Sequence, residues 1–335
     1  MTLKIAIVGT GTVSRGNYIP FLASQPDVEL AYFNRTHETA VSVAEQFGGQ
    51  AFSSIEELTA WKPTTALILT SETARYDIAK RVIAGGVPRI FFEKPLVAAK
   101  GQAHVTEEDF YNGKELLRLA ADRGCETAMI FNYRFFDQTI AARKAAESRN
   151  FGQVVSATGL VHYACWSHCI DLIQFFGGAV AETAALQGGM VHHAPAVGID
   201  APDVVAALRM ASGATATLIG TAAMQWQHPL YELTFTFENG RIHMRDLDGT
   251  LEILDGSGQS HELISLVRHT SRWDQYASSF KKSLSAYLDS LRSGLPPPVP
   301  GIAGLRELQV EAALKRSIAE RRPVILQDEF PVDAA

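Results

Sequence analysis

The N-terminal part of the chain alternates short apolar runs with longer amphipathic stretches. The apolar runs are rich in β-branched or aromatic residues and too short for buried helices, so they predict strands. Strands are expected at 4–8, 28–34, 66–70, 89–95 and 126–132, and helices at 36–49, 73–86 and 107–124. Strands that are apolar on both faces and alternate with helices are typical of a doubly wound parallel sheet covered by helices.

The pattern changes after about residue 150, where strands follow one another directly. They are predicted at 152–164, 203–211, 214–224, 231–246 and 250–254, with helices at 167–176, 280–294 and 305–320. Turn pairs lie between the strands: Ser212-Gly213, Asn239-Gly240 and Asp248-Gly249. Asn-Gly between alternating apolar residues is a strong hairpin signal. This half is therefore expected to form a large, open, mainly antiparallel sheet with added helices.

The length of the chain predicts two domains, and its charge argues against nucleic acid and membrane surfaces as partners. The chain has 335 residues, which is more than a single core usually organises, and we predict domains at 1–130 and 131–335. The net charge is −6, with no long block of like charge, so nucleic acid and membrane surfaces are not expected partners. The N-terminal residues do not resemble a signal peptide, and the three cysteines fit reduced thiols, so we expect a cytoplasmic location.

The first chemical motif is "VGTGTVS" at 8–14, directly after the first predicted strand. Gly9 and Gly11 allow a tight turn and a close approach to a pyrophosphate. Ser14 stands where the usual fingerprint has a third glycine, and it is still small. An ordinary glycine-rich turn is the alternative, but the position at a strand–helix turn favours dinucleotide binding.

The second motif, "FNRT" at 33–36, ends the second predicted strand. An acidic residue is expected here when the ribose 2′-hydroxyl of NAD is bound, but this chain has Asn34 and Arg35. A guanidinium can bind a 2′-phosphate in a forked geometry, so we predict a preference for NADP(H) over NAD(H). The alternative is that Arg35 is an ordinary solvated arginine.

The third motif is "FFEKP" at 91–95, at the end of a buried strand. Ligands of open α/β sheets bind beyond the carboxyl ends of the strands. A lysine at this place can serve as a proton donor or acceptor. Taken alone, Lys94 would be interpreted as a surface lysine.

These motifs together resemble the Gfo/Idh/MocA oxidoreductase family. The resemblance extends to "NYRF" at 132–135, "HCIDL" at 168–172, "SGATATL" at 212–218 and "ENGRI" at 238–242, so it covers nearly the whole chain. It implies an N-terminal Rossmann domain and a C-terminal α+β domain whose sheet makes homodimer or homotetramer contacts. It also implies nicotinamide-dependent oxidation or reduction of a sugar, a polyol or a related carbonyl compound.

The resemblance assigns roles to individual residues. Lys94 is expected to carry the proton and His168 to assist it. The expected cofactor-binding residues are Gly9, Gly11, Thr12, Val13, Asn34, Arg35, Thr70, Ser71, Glu93, Lys94 and Pro95. Candidate substrate contacts are Tyr133, Arg134, Trp166 and Asp171. Asp171 can alternatively bond the His168 ring or take part in helix packing.

The chain departs from the family pattern near both catalytic candidates. Ala164 stands where the family often has an aspartate, and Trp166 stands where it has a glycine. The segment "TSETAR" at 70–75 puts Ser71 and Arg75 where the family often has proline and histidine. The alternative to an enzyme is therefore a non-catalytic NADP-binding sensor or regulatory protein on the same fold.

The stretch "HYACWSHCID" at 162–171 has the residue types of a metal site. Tetrahedral zinc sites combine two ligand pairs, and no second pair is convincingly placed in this chain. A helix capped by Ser167, with Cys165 and Cys169 in the core, explains the stretch better. We therefore expect no metal.

Overall fold

The computed structural model describes residues 2–195, 197–247, 249–265 and 271–332. The described chain divides into two compact units, and each unit is considered by itself. The first unit comprises residues 2–130 and 280–308, and the second comprises residues 131–279 and 309–332. The predicted domains, 1–130 and 131–335, stay a prediction; the compact units differ from them in that residues 280–308 lie with the first.

In the described part of the first unit, six parallel strands form one sheet in the order β3-β2-β1-β4-β5-β6. The strands are β1 Leu3–Val8, β2 Val28–Phe33, β3 Gln50–Phe52, β4 Thr65–Ile68, β5 Arg89–Phe92 and β6 Glu126–Met129. The helices are α1 Ile19–Ala23, α2 His37–Phe47, α3 Ile55–Ala60, α4 Glu72–Ala84 and α5 Glu107–Asp122, with a π-helical turn at Ser14–Tyr18 before α1. This order is that of the Rossmann fold, which confirms the predicted class. The strand order reverses between β1 and β4, where ligands of such sheets bind.

Strand ends and short elements differ from the prediction. β4 ends at Ile68 and β5 at Phe92, so Thr70, Glu93, Lys94 and Pro95 lie in loops beyond the carboxyl ends of their strands. The apolar pattern continued past these ends because the loop residues are themselves buried or half-buried. β3 and α3 were not predicted, since three and six residues are too few to establish a period.

The 280–308 segment belongs to the first unit because its aromatic residues complete that core. Phe280 packs edge-on against Tyr18, with ring centroids 5.2 Å apart. The Tyr287 hydroxyl lies 2.6 Å from Thr65 Oγ1, and its ring centroid is 4.8 Å from that of Phe91. A periodic amphipathic pattern predicts a helix here, but it does not say which core the helix joins.

In the described second unit, nine strands form one sheet in the order β14-β13-β12-β11-β7-β10-β9-β8-β15. The strands are β7 Val154–His162, β8 Val180–Ala194, β9 Ile199–Met210, β10 Thr215–Thr221, β11 Tyr231–Phe237, β12 Gly240–Arg245, β13 Leu251–Asp255, β14 His261–Ile264 and β15 Val324–Ile325. The helices of this unit are α6 Asp137–Ser148, α7 Trp166–Gly177 and α10 Leu326–Glu329. Two further helices, α8 Arg272–Ser293 and α9 Ile302–Glu320, each have residues in both units, because the division falls after residue 279 in α8 and after residue 308 in α9. Within this sheet β7 and β10 pair in parallel and the remaining neighbours are antiparallel, so the predicted mainly antiparallel sheet is confirmed.

Turn chemistry located the hairpins correctly. β11 and β12 pair around Asn239-Gly240, with Phe237 opposite Gly240. The predicted turn at Asp248-Gly249 involves a residue outside the described part of the chain. β8 was missed because its sequence, rich in alanine and interrupted by two glycines, carries little strand propensity, and its register with β9 shifts near those glycines.

The prediction that Ser167 caps α7 is wrong. The helix begins at Trp166, and Cys165 precedes it without a capping side chain. A short 3₁₀ turn at Tyr163–Cys165 leads into the helix, and His162 Nδ1 caps that turn by accepting from Ala164 N at 3.0 Å. His168 therefore lies on the first turn of α7, as expected. None of the described helices is both long and apolar enough to cross a membrane.

Candidate active site

The glycine-rich loop follows β1 and lies between the ends of β2 and β4. Gly9 has a φ of +100°, and a Cβ there would come within 2.7 Å of Thr70 N. Only glycine meets both demands without strain. Gly9 N donates to Phe33 O at 2.9 Å, and Asn34 Oδ1 accepts from Thr10 N at 3.2 Å. The loop is thus held in place by its neighbouring strands before any ligand binds.

The side of the loop away from the sheet is open. Gly11, Thr12 and Val13 are exposed, and a Cβ on Gly11 would meet no atom within 4 Å. The hydroxyls of Thr10, Ser14 and Thr70 are buried and have no hydrogen-bond partner among the described residues. Buried polar atoms are normally satisfied, so these three hydroxyls suit a polar ligand. An exposed backbone turn beside unmatched hydroxyls fits the pyrophosphate and ribose of a dinucleotide.

Asn34 and Arg35 have different roles in the structure. The Asn34 side chain is used within the protein, because its Nδ2 also donates to Thr36 O at 3.2 Å. Arg35 is exposed and makes no hydrogen bond or ion pair with another described residue. Its guanidinium is therefore available to an anionic ligand at the end of β2.

The loop after β5 presents Lys94 with its ammonium already fixed. Lys94 is half-buried, and its Nζ donates to Gln102 Oε1 at 2.8 Å. Glu93 accepts from Tyr18 Oη at 2.8 Å and from Lys94 N at 2.7 Å. The Lys94–Pro95 peptide bond is cis. The motif predicted Glu93 and Lys94, but no sequence signal marked their hydrogen-bond partners, Tyr18 for Glu93 and Gln102 for Lys94.

Ser71 and Thr70 lie at the start of α4, beyond the end of β4. Ser71 is exposed and caps the helix, with its Oγ accepting from Thr73 N at 3.4 Å. Thr70 O accepts from the buried guanidinium of Arg75 at 2.8 Å. The first unit thus brings together the loops after β1, β2, β4 and β5 that carry every predicted cofactor residue.

A separate cluster in the second unit contains His168. Its ring stacks on Tyr133 with centroids 3.9 Å apart and planes 6° from parallel. Both rings are almost fully buried, and Phe131 meets the imidazole edge-on at 6.0 Å. The Tyr133 hydroxyl lies 3.1 Å from Cys165 Sγ, and burial raises the pKa of this tyrosine well above its ordinary value. This packing fixes the plane of the His168 ring.

Arg134 and Asp171 form an ion pair beside this stack. Arg134 Nε and Nη2 donate to the two Asp171 carboxylate oxygens at 2.7 Å and 2.5 Å. Burial raises the pKa of Asp171, and the guanidinium partly offsets that rise. The guanidinium also lies over the Phe175 ring, 4.7 Å from its centroid. Of the roles considered for Asp171, the geometry shows the packing of α7 through Arg134.

The remaining positions of the opening motif are mostly core. Trp166 is 5% exposed and packs against Gly220, where a Cβ would come within 2.7 Å of its ring. Cys165 and Cys169 are buried and neither forms a disulfide, as the helix interpretation predicts, and burial raises the pKa of Cys169. Among residues 2–195, 197–247, 249–265 and 271–332, no group of three or more His, Cys, Asp or Glu side chains is placed to hold a metal ion. Substrate contacts by Tyr133, Arg134, Trp166 and Asp171 stay predictions.

The strand order and the glycine-rich loop of the first unit are those of a Rossmann dinucleotide-binding domain. Residues 3–130 match a family described as "Oxidoreductase family, NAD-binding Rossmann fold" and denoted GFO_IDH_MocA. This match of residues 3–130 to the Gfo/Idh/MocA family model confirms the resemblance found in the motifs.

Individual relatives are distant in sequence and similar in fold. An uncharacterised oxidoreductase of Escherichia coli K12, YhhX, is 25% identical over 49% of this chain and 45% of that protein, so this match spans about half of each. Inositol 2-dehydrogenase of Rhizobium meliloti 1021 is 20% identical over 97% of this chain and 99% of that protein. A crystal structure of an oxidoreductase from Agrobacterium radiobacter in complex with NAD⁺, L-tartaric acid and magnesium superposes with a TM-score of 0.80 at 18% identity, covering 98% of this chain and 99% of the other. At such identity the structural likeness establishes the shared fold.

Proposed function

We propose that the protein is an NAD(P)-dependent oxidoreductase acting on a sugar, a polyol or a related hydroxyl or carbonyl compound. The observation that carries the proposal is that one unit contains both an exposed glycine-rich loop, with unmatched buried hydroxyls beside it, and a hydrogen-bonded lysine beyond the end of β5. Family membership of residues 3–130 supports the cofactor class. Inositol 2-dehydrogenase, a full-length relative by coverage, motivates the substrate class.

The chain's residues supply binding and proton handling in this proposal. When bound, the nicotinamide supplies hydride acceptance or donation. Lys94 Nζ exchanges the proton of the substrate oxygen, and Gln102 Oε1 holds that ammonium in one orientation. Gly9, Gly11 and the hydroxyls of Thr10 and Ser14 hold the cofactor. His168 assists Lys94, an assignment that comes from the sequence resemblance alone.

Turnover with a substrate panel tests the enzyme proposal. Purified protein is incubated with NADP⁺ or NAD⁺ and polyols, aldoses and hydroxy acids, and with the reduced cofactors and ketosugars, while absorbance at the nicotinamide band is followed. Turnover that disappears in Lys94→Met, with cofactor affinity kept, is the expected result. Tight cofactor binding without turnover in the wild type would instead favour a non-catalytic sensor.

The cofactor preference is a separate part of the proposal. Arg35 is exposed and has no partner among the described residues, and Asn34 brings no negative charge to the end of β2. A 2′-phosphate is therefore attracted there rather than repelled. Fluorescence titration should show tighter binding of NADPH than NADH, and Arg35→Ala should remove most of the difference. Equal affinities in the wild type would refute the NADP preference.

The second unit supports homo-oligomer formation through its sheet. In register across four neighbouring strands lie Leu160, Ile219, Val205 and Leu186, which form an apolar row on the outer face. Leu186 is 74% exposed and Val205 43% exposed. Exposed apolar patches of this kind commonly mark interfaces, so we infer that a second copy covers this row. The predicted cytoplasmic location stays a prediction.

A further inference from the structure

Arg75 is a charged side chain buried on the second turn of α4, with only 2% of its surface exposed. It donates hydrogen bonds to backbone carbonyls in the loops that follow β4 and β5. We propose that Arg75 is the positioning residue that holds Lys94 in its working place. This inference rests on the proposed function, because the importance of Lys94 comes from that proposal.

The contacts of Arg75 enclose Lys94 on both sides along the chain. Arg75 Nη1 donates to Glu93 O at 2.8 Å and also to Pro95 O, the carbonyls of the residues before and after Lys94. Nη2 donates to Thr70 O at 2.8 Å, in the loop that follows β4. One planar guanidinium therefore sets the position of the lysine backbone relative to the neighbouring strand end. In an Arg75→Lys variant the side chain would end in a single ammonium, which cannot reproduce the forked geometry of a guanidinium.

The same helix also reaches the other end of Lys94. Glu72, three residues before Arg75 and on the same face of α4, accepts from Gln102 N at 3.1 Å through its Oε1. Gln102 in turn accepts from Lys94 Nζ at 2.8 Å. The start of α4 thus locates both the backbone and the ammonium of Lys94. Such double fixation is what a proton-transfer group needs, since small displacements are costly in rate.

Stability alone is a poor reason for a charge in this place. Burying a guanidinium carries a large desolvation cost, and well-packed apolar residues often replace buried charges without loss. Arg75 Nε has no hydrogen-bond partner among the described residues, so part of the cost is not recovered. Burial lowers the pKa of Arg75, while the nearby carboxylates of Glu93 and Glu72 oppose that shift. The hydrogen bonds of Arg75 therefore fix the conformation of the Lys94 loop, and they are not expected to add much to the free energy of unfolding.

Arg89 provides a matched control in the same unit. It is also buried, at 7% exposed, and it begins β5, the strand whose other end leads to Glu93. Its guanidinium donates to Ser290 Oγ and Leu295 O, both at 3.0 Å, and pairs with Glu126. Arg89→Met therefore removes a comparable buried charge without touching the Lys94 loop.

The experiment compares Arg75→Met, Arg75→Lys and Arg89→Met with the wild type. The readouts are kcat, KM, the cofactor Kd, the melting temperature, and hydrogen exchange of the backbone amides at 93–101. We expect Arg75→Met to lower kcat by about 100-fold, Arg75→Lys to lower it by roughly tenfold, and both to leave the cofactor Kd unchanged. Exchange at 93–101 should accelerate in both Arg75 variants but stay as in the wild type in Arg89→Met.

The outcomes separate this inference from the proposed function. Equal loss of kcat in Arg75→Met and Arg89→Met, with unchanged exchange at 93–101, overturns the positioning role and leaves the enzyme proposal standing. Absence of turnover in the wild type refutes the enzyme proposal, and the exchange comparison then still decides whether Arg75 fixes the Lys94 loop. If Arg75→Met fails to fold, the same comparisons are made with Arg75→Lys.

Discussion

Replacement of Arg134 by alanine should destabilise the protein strongly and disturb His168. Arg134 holds the segment that carries Tyr133 against α7, which carries His168, through two hydrogen bonds to Asp171. Asp171 is 1% exposed, so the variant leaves its carboxylate without water and without its counter-ion. Breaking a buried pair by removing one partner costs about 3–5 kcal/mol. Loss of the guanidinium contact with Phe175 adds to that cost.

The cost should depend on pH in a definite direction. Burial already raises the pKa of Asp171 above its ordinary value, and the guanidinium is what opposes the rise. In Arg134→Ala the pKa rises further, so the folded state binds a proton more tightly than the unfolded chain does. Stability of the variant therefore increases as pH falls through the raised pKa, and this gain is complete below the unfolded value of about 3.9. The destabilisation should shrink between pH 7 and pH 5.

Urea unfolding at pH 7 and pH 5 measures this prediction, with Arg118→Ala as the control. Arg118 and Asp122 form an exposed pair on α5, at 63% and 56% side-chain exposure, and its loss should cost less than about 0.5 kcal/mol. The double variant Arg134→Met with Asp171→Leu should recover most of the stability, because it leaves no uncompensated charge. A cost below about 1 kcal/mol for Arg134→Ala, or the same cost at both pH values, would refute the reasoning.

Three further results are expected. Gln102→Leu should lower kcat by roughly tenfold without changing the cofactor Kd, because Lys94 loses the acceptor that orients it; unchanged kcat would contradict this. Leu186→Lys should shift the particle mass measured by light scattering towards the monomer if the apolar row is covered by a second copy, and an unchanged mass would argue against that interface. Burial lowers the pKa of His162, so the unfolded chain binds a proton there more tightly than the folded chain, and the wild type should lose stability as pH falls below about 6.5. Thermal unfolding at pH 7.5 and 5.5 should show that His162→Gln reduces this loss, by about 1.4 kcal/mol at most at pH 5.5, and an unchanged loss would contradict the reasoning.

The hydrophobic pattern was sufficient for the architecture because long elements repeat a period many times. Buried parallel strands and the Asn239-Gly240 hairpin were predictable on that basis. β8 was not, since a strand rich in alanine and glycine is defined by pairing with β9 rather than by its own propensity. The packing of segment 280–308 in the first unit could not be read from the sequence, because an amphipathic pattern identifies a buried face without identifying what it packs against.

The candidate site was predictable where backbone demands fix the residue type. Gly9 needs a positive φ beside Thr70, and Lys94 follows a buried strand at the edge where ligands bind. Both requirements can be recognised in the sequence, the first as a glycine and the second as a lysine directly after an apolar run. The stacking of His168 on Tyr133 left none, because two rings meet only after α7 and the segment at 132–135 have packed together.

The residues that contact the Lys94 loop could not be predicted from the sequence. Glu72 and Arg75 are three positions apart on a helix, so the sequence alone places them on one face of α4. The contacts of this helix face depend on how α4 packs on the sheet. In the structure the face lies against the loops that follow β4 and β5. A motif therefore predicts the candidate residue Lys94, whereas the side chains that contact its loop come from α4, whose sequence gives only the face on which they lie.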